Sequence, residues 1–304
     1  MQPLIARFFS YVEIRTKIAS LLPFLLGFGY AAYAYRQIDA VNTGLFFLSM
    51  LFFDMATTAL NNYIDTKSNQ VPLPFDRQTA KRIFLALLAM ATLLGLLLAW
   101  RSGWVVLVTG GLCFLIGIFY TFGPAPISRM PLGEAFSGLF MGLFIPFLVI
   151  YINAPADQLV FYTYQNGLLE IGFRLPDLIR LAIISVTPVC GIANIMLANN
   201  ICDVDHDVRV NRFTLPYYIG TKRAVQLFAA LYAIAYGSVL LMAILHILPP
   251  YVLLSLLTLP LVWKNVRHFA ARQSKRETFP LSVANLVLTM VPLILIIAAA
   301  TLIR

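Results

Sequence analysis

Long apolar runs fill the chain, and polar residues gather where the runs end instead of alternating within them. A helix needs about 20 apolar residues to cross a hydrocarbon core. Nine runs qualify, at 17–36, 43–63, 81–100, 104–120, 134–154, 178–201, 223–247, 250–266 and 281–303. Each is continuous, whereas barrel strands are short and alternate, so strands are set aside. The pattern predicts an all-α polytopic membrane protein with nine transmembrane helices, as one membrane domain over 1–304. Residues 3–14, PLIARFFSYVEI, predict an interfacial segment within 1–16, with Phe8, Phe9 and Tyr11 at the headgroups beside Arg7. The first span is long and has no small-x-small cleavage site, so no removable leader is expected.

Composition narrows the class further. Of 304 residues, 60% are hydrophobic and 12% are charged, about half the charge of a soluble domain. A nucleic-acid-binding chain would be richer in charge still. The partners to expect are the bilayer and small molecules, with no nucleic acid and no obligate protein partner evident. Cys113, Cys190 and Cys202 sit in or at the ends of spans without paired or zinc-binding spacing, so they read as small apolar fillers.

The net charge of +9 is unevenly placed. With the N-terminus in the cytoplasm, 17 of the 22 Lys and Arg fall on the cytoplasmic side. This bias predicts a cell-membrane protein with a cytoplasmic N-terminus and its C-terminus on the opposite side. Two copies of N-N-x-x-D then end on the cytoplasmic side, NNYID at 61–65 and NNICD at 199–203. They close spans 2 and 6, matching positions if spans 1–4 and 5–8 are two related four-helix halves around a central cavity. Paired polar interruptions of this kind point to a central site.

If the first motif is helical, Asn61, Asp65 and Asn69 share a face, with Asn62 on the neighbouring one. Asn199, Asp203 and Asp207 repeat that ladder, beside Asp205 and His206. His206 alone reads as an exposed loop residue. Carboxylates at a membrane edge are functional candidates, and two ladders suggest a divalent-cation site. Magnesium takes one or two carboxylates and completes its shell with water and phosphate oxygens. Lys67, Lys81, Arg82, Arg209, Arg212, Lys222 and Arg223 surround the ladders, which suits a magnesium-diphosphate site better than a calcium site. The loop after span 4 contributes Arg129, whose forked donors suit phosphate. Gly138 and Gly142, one turn apart, predict close helix packing. Asp54 lies roughly 16 Å along the axis from Asp65, too far to share its metal. It reads either as a hydrogen-bonded packing residue or as a contact for a second substrate.

These motifs resemble the UbiA superfamily of intramembrane prenyltransferases. Its N-D-x-x-D-x-x-x-D motif corresponds to NNYIDTKSN, and its D-x-x-x-D motif to DVDHD at 203–207. YTFGPAPI followed by PLGE, RTK at 15–17 and the Thr214-Leu215 pair are most similar to 1,4-dihydroxy-2-naphthoate polyprenyltransferases of menaquinone synthesis. Asn62 and Asn69 depart from the family by standing where it has Asp, which leaves Asp65 as the first ladder's one carboxylate and opens a ligand role for Asp76. The resemblance implies Mg2+ as cofactor, a polyprenyl diphosphate donor and an aromatic acceptor that loses its carboxylate on prenylation. It implies metal ligands among Asn61, Asp65, Asn69, Asn199, Asp203 and Asp207. Lys17, Asn62, Tyr63, Lys67, Arg129 and Arg212 would bind the diphosphate or the acceptor. Catalysis would rest on Asp65, Asp203, Asp207, Arg129 and Tyr120, with Tyr63 and Tyr120 facing the allylic cation. Other readings are another acceptor such as 4-hydroxybenzoate, or a transporter or cation channel. A channel expects charge near the midplane, whereas here it clusters at one face. An alcohol phosphotransferase would need a D-G dipeptide, which the chain lacks.

Overall fold

A computed structural model describes residues 3–66, 72–124 and 126–303, with the backbone alone for Asp65 and Leu169. A short helix, α1 (Leu4–Tyr11), and a 3-10 turn over Ile14–Lys17 lead into α2 (Ile18–Tyr35) and α3 (Ala40–Asp65). Then come α4 (Arg77–Ser102), α5 (Trp104–Thr121), α6 (Gly133–Gly142), α7 (Phe144–Asn153) and the 35-residue α8 (Leu175–Arg209). After a short α9 (Leu215–Ile219) follow α10 (Thr221–Ile244), α11 (Leu259–Ala271) and α12 (Phe279–Ile303). Among the described residues, eight helical segments are long and apolar enough to cross a membrane. The fold is all-α and polytopic, and the protein is a multi-pass membrane protein.

The eighth predicted span, 250–266, falls on a 3-10 segment over Pro250–Thr258 that turns into α11. Pro260, at the start of α11, has no N–H for the Leu256 carbonyl four residues earlier, and the run divides there. The span over 134–154 is broken in the middle. Pro146 has no N–H for the Gly142 carbonyl four residues earlier, and the chain divides there into α6 and α7.

Setting strands aside was correct for the spans and wrong for the connection between α7 and α8. Strands β1 (Val160–Gln165) and β2 (Leu168–Phe173) pair antiparallel with Gln165 opposite Leu168. The two-residue turn is Asn166-Gly167, both at positive φ. An Asn-Gly pair between β-branched and aromatic residues is the strongest short hairpin signal.

Two features position the site. First, α8 is the most buried long helix and packs against α6, α10 and α12. Its 35 residues span roughly 50 Å, well beyond a 30 Å hydrocarbon core. The helix therefore carries its last turns, with Asp203 and Asp207, towards the membrane edge. Second, Gly138 and Gly142 bring α6 against it. A Cβ on Gly142 would stand 2.5 Å from the backbone of Val189, and one on Gly138 2.9 Å from the Val189 carbonyl oxygen. Leu26, Val149, Ile184, Leu286 and Leu293 fill the central core around these contacts.

Groups of polar contacts mark both ends of the bundle. At one end, the Asn153 amide oxygen accepts from Asp39 N at 2.8 Å, and Arg101 donates to Asn42 at 2.7 Å. At the other end lie the termini of α3, α5, α8 and α11.

Candidate active site

The last three turns of α8 split the acidic motif by exposure. Asp205 and His206 face outward, whereas Asp207 is buried and Asp203 partly so. Asn199 Oδ1 and Asp203 Oδ2 both accept from the ammonium of Lys275, in the loop between α11 and α12. Arg212 stands 3.6 Å from Asp207 Oδ1, while Asp207 Oδ2 is buried without a hydrogen-bond partner among the described residues. The chain turns back sharply here, since Arg212 N donates to the Asp207 carbonyl at 2.8 Å.

The Pro-rich loop after α5 docks on that turn. Phe213 N donates to the Arg129 carbonyl at 3.1 Å, and Arg212 Nη2 to the Ser128 carbonyl at 3.3 Å. These bonds hold Arg129 beside the end of α8 with its side chain exposed. Ser137 donates to the Tyr120 hydroxyl at 3.1 Å. One turn away, Asn200 Nδ2 donates to Glu134 Oε1 at 2.8 Å, and both residues are buried.

The first motif has different partners. Asn62 Nδ2 donates to the Tyr11 carbonyl at 2.9 Å and to Glu13 at 3.2 Å, which ties α3 to the N-terminal segment. Tyr11 returns the contact by donating to the Ala59 carbonyl at 2.9 Å, and burial pushes its phenol up to about 12. Arg77 lies 4.5 Å from the centre of the Tyr63 ring and donates to the Tyr63 carbonyl. Asn61 is half-buried, and Asp65 closes α3. The side chain of Asp65, and Lys67 and Asn69 altogether, lie outside the described residues. Asp76 caps α4, accepting from Thr79 N at 3.0 Å. A bond from the Thr79 side chain, together with this one from its backbone, holds the carboxyl below the usual range.

Lys17 and Asp54 form an ion pair of 2.6 Å, completed by Thr58 at 2.6 Å and by Ser20 on the other carboxylate oxygen at 2.5 Å. Of the two readings of Asp54, the packing one has these bonds behind it. Lys17 is 5% exposed and is directed to Asp54.

The arrangement therefore gathers Asn199, Asp203, Asp207, Arg212, Arg129 and Tyr120 around the end of α8, with Glu134, Asn200, Ser137 and Lys275 as additions. Glu134 could have been found as a lone acid within an apolar span, and Asn200 as the second amide of NNICD. Nothing in the order of residues links Lys275 to Asp203. Among the described residues, no three of His, Cys, Asp and Glu lie close enough together to hold a metal. Asp203 and Asp207 supply two carboxylates, and Asn199 an amide oxygen.

The matching family model, for the UbiA prenyltransferase family, covers residues 20–289. The chain belongs to this family. It is 30% identical to a 1,4-dihydroxy-2-naphthoate octaprenyltransferase of Bacillus subtilis (strain 168), over 85% of this chain and 80% of that protein. Solved structures share the fold. One, from work on digeranylgeranylglyceryl phosphate synthase in membranes, gives a TM-score of 0.64 at 14% identity, covering 99% of both chains. A UbiA homologue from Aeropyrum pernix K1 gives 0.62 at 19% identity over 90% of this chain and 97% of its own. One from Archaeoglobus fulgidus, bound to DMAPP and Mg2+, gives 0.61 at 14% identity over 94% and 99%. As a member of the family, the protein is a prenyltransferase.

Proposed function

We propose that this UbiA-family enzyme transfers a polyprenyl group from its diphosphate to 1,4-dihydroxy-2-naphthoate, with loss of the carboxylate, and so makes demethylmenaquinone in its reduced, quinol form. The acceptor assignment rests on likeness to the Bacillus subtilis relative and on the YTFGPAPI…PLGE segment. The observation behind the site assignment is the unpartnered Oδ2 of buried Asp207, beside Asp203 and Arg212.

That donor set fits magnesium. One or two carboxylates are enough where water and phosphate oxygens complete the shell, and an orphaned carboxylate oxygen invites a cation. Asp203, Asp207 and Asn199 would hold it, with Asp65 and the amides of Asn61 and Asn69 on the first ladder. Bound there, Mg2+ would offset charge on the diphosphate as it leaves.

The chain's own residues do the rest. Arg129 and Arg212, with Lys67, hold the diphosphate by charge-assisted hydrogen bonds. The allylic C–O bond breaks with its electron pair going to the diphosphate. A ring carbon of the acceptor forms the new C–C bond, and its carboxyl leaves as carbon dioxide. Apolar helices keep water from the allylic cation, and the ring faces of Tyr120 and Tyr63 would stabilise it. The donor tail lies in the bilayer, and the diphosphate enters from the cytoplasmic face that the charge bias favours.

The test is mass spectrometry of the product made by purified protein from dihydroxynaphthoate, a set of polyprenyl diphosphates and magnesium. A prenylated, decarboxylated naphthoquinol is expected. Asp203→Ala and Asp207→Ala should abolish it while the protein still inserts. Full activity in a chelator would sink the metal-diphosphate assignment.

A further inference from the structure

Buried polar atoms in a folded protein nearly always have a partner. Eight buried side-chain polar atoms lack one among the described residues, and five belong to Glu134, Asn200, Asp207, Arg212 and Thr214. The Asp207 and Arg212 atoms belong to the diphosphate site above. Glu134 Oε2 and Asn200 Oδ1 do not, and both are hydrogen-bond acceptors. The bond from Asn200 Nδ2 to Glu134 Oε1 leaves the amide oxygen as the free end. Glu134 is 5% exposed and Asn200 2%.

Their place in the fold suggests what should meet them. Asn200 precedes Asp207 by seven residues, two helical turns or roughly 10 Å along α8, on the same face. A group bound at the pair therefore lies inward of the diphosphate, where a second substrate must sit for attack on the carbon next to it. Tyr120 adds a donor, because Ser137 supplies the proton of their mutual bond and the phenol keeps its own. Gly133 packs closely against this group. A Cβ there would stand 3.2 Å from the Tyr120 hydroxyl and 4.0 Å from Asn200 Nδ2.

We infer that Glu134, Asn200 and Tyr120 form a site for the ring hydroxyls of the aromatic acceptor. Glu134 Oε2 and Asn200 Oδ1 accept the hydroxyl protons, and Tyr120 donates to a hydroxyl oxygen. The inference rests on the prenyltransferase reading but does not depend on a particular donor. Two buried acceptors left unpaired penalise any ring that lacks hydroxyls, so the site selects electron-rich phenols over plain arenes.

The experiment measures binding to the purified full-length protein in detergent, without prenyl diphosphate, by titration calorimetry. The probes are 1,4-dihydroxy-2-naphthoate and 2-naphthoate, which keeps the rings and carboxylate and has no hydroxyl. The wild type should prefer the diol by about tenfold or more. Glu134→Gln exchanges the free acceptor for an N–H donor, and should remove most of that preference. In turnover it should raise the acceptor KM by about tenfold and leave the prenyl diphosphate KM within about twofold. Gly133→Ala, whose added carbon crowds the Tyr120 hydroxyl, should also raise the acceptor KM alone. Equal binding of both probes by the wild type overturns the inference, even if Glu134→Gln does not fold. So does a Glu134→Gln protein with an unchanged diol preference, or one in which both KM values rise together. A wild type that prefers the diol but transfers no prenyl group to any acceptor counts against the proposed function and leaves the hydroxyl site standing.

Discussion

The ammonium of Lys275 rests on the carboxylate of Asp203, 72 residues earlier in the chain. It also takes the amide oxygen of Asn199 and lies 5.0 Å from the centre of the Phe279 ring. A protein cation thus occupies oxygens that the proposed site would give to a metal. The pair is partly exposed, with side chains 44% and 29% accessible, so it contributes no more than about 1 kcal/mol. Lys275→Met should therefore tighten the binding of a divalent ion alone by about two- to fivefold. Manganese titration followed by electron paramagnetic resonance measures this without turnover. Unchanged affinity would mean that the lysine and the metal do not compete.

Close packing of α6 on α8 sets the Glu134–Asn200 contact, and it depends on Gly142. A Cβ there would meet Val189 N and Cα at 2.5 Å. Backbone cannot swing aside as a side chain can. Gly142→Ala should cost about 1–3 kcal/mol through overpacking, visible as a lower thermal midpoint in detergent. Gly110→Ala, where nothing lies within 4 Å of the added carbon, is the matched control and should leave the midpoint nearly unchanged.

The sequence made the membrane architecture legible because long apolar runs have few alternatives in water or lipid. It showed the second ladder too, since Asn199, Asp203 and Asp207 follow helical spacing and stay on one helix. It was weaker where geometry depends on partners far along the chain. Lys275 carries no mark of Asp203, and Lys17 read as a cation near a phosphate because Asp54 is 37 residues away. The hairpin at 160–173 was missed for a different reason. Its Asn166-Gly167 signal is present, but a six-residue strand disappears at the length of about 20 residues on which membrane spans show. The break in the fifth span turned on the single residue Pro146, whose effect is local and leaves hydropathy unchanged.

Asp76 caps α4 and is fully exposed, which makes it a clean pH probe. Hydrogen bonds from Thr79 lower its carboxyl below the ordinary aspartate value of about 3.9. A depressed folded-state pKa gives stability that is present above the unfolded value and lost as pH falls through the folded one. Asp76→Ala should therefore lower the thermal midpoint at neutral pH. The gap from wild type should hold down to about pH 5 and close below about pH 4. Asp76→Asn keeps a capping oxygen and should show a smaller gap at neutral pH. A gap between wild type and Asp76→Ala that does not change with pH would show that the carboxylate charge adds nothing to the cap.

Lys17 tests whether a cation near the membrane edge serves the substrate or the fold. Its side chain is 6% exposed and that of Asp54 16%, and the two meet at 2.6 Å. Removing one member of such a pair strands the other charge in a poorly solvated place, at about 3–5 kcal/mol. Asp54→Ala should thus lower the thermal midpoint sharply. The double variant Lys17→Met with Asp54→Leu should recover much of that loss, because neither charge is then left alone. A diphosphate role gives the opposite pattern: Lys17→Met would raise the prenyl diphosphate KM while the thermal midpoint holds, and Asp54→Leu would do nothing to repair it. The observed bonds to Asp54 and Thr58 use donors of the ammonium on the protein itself. The expected result is therefore a stability defect that the second substitution relieves, with the diphosphate KM unchanged in the double variant.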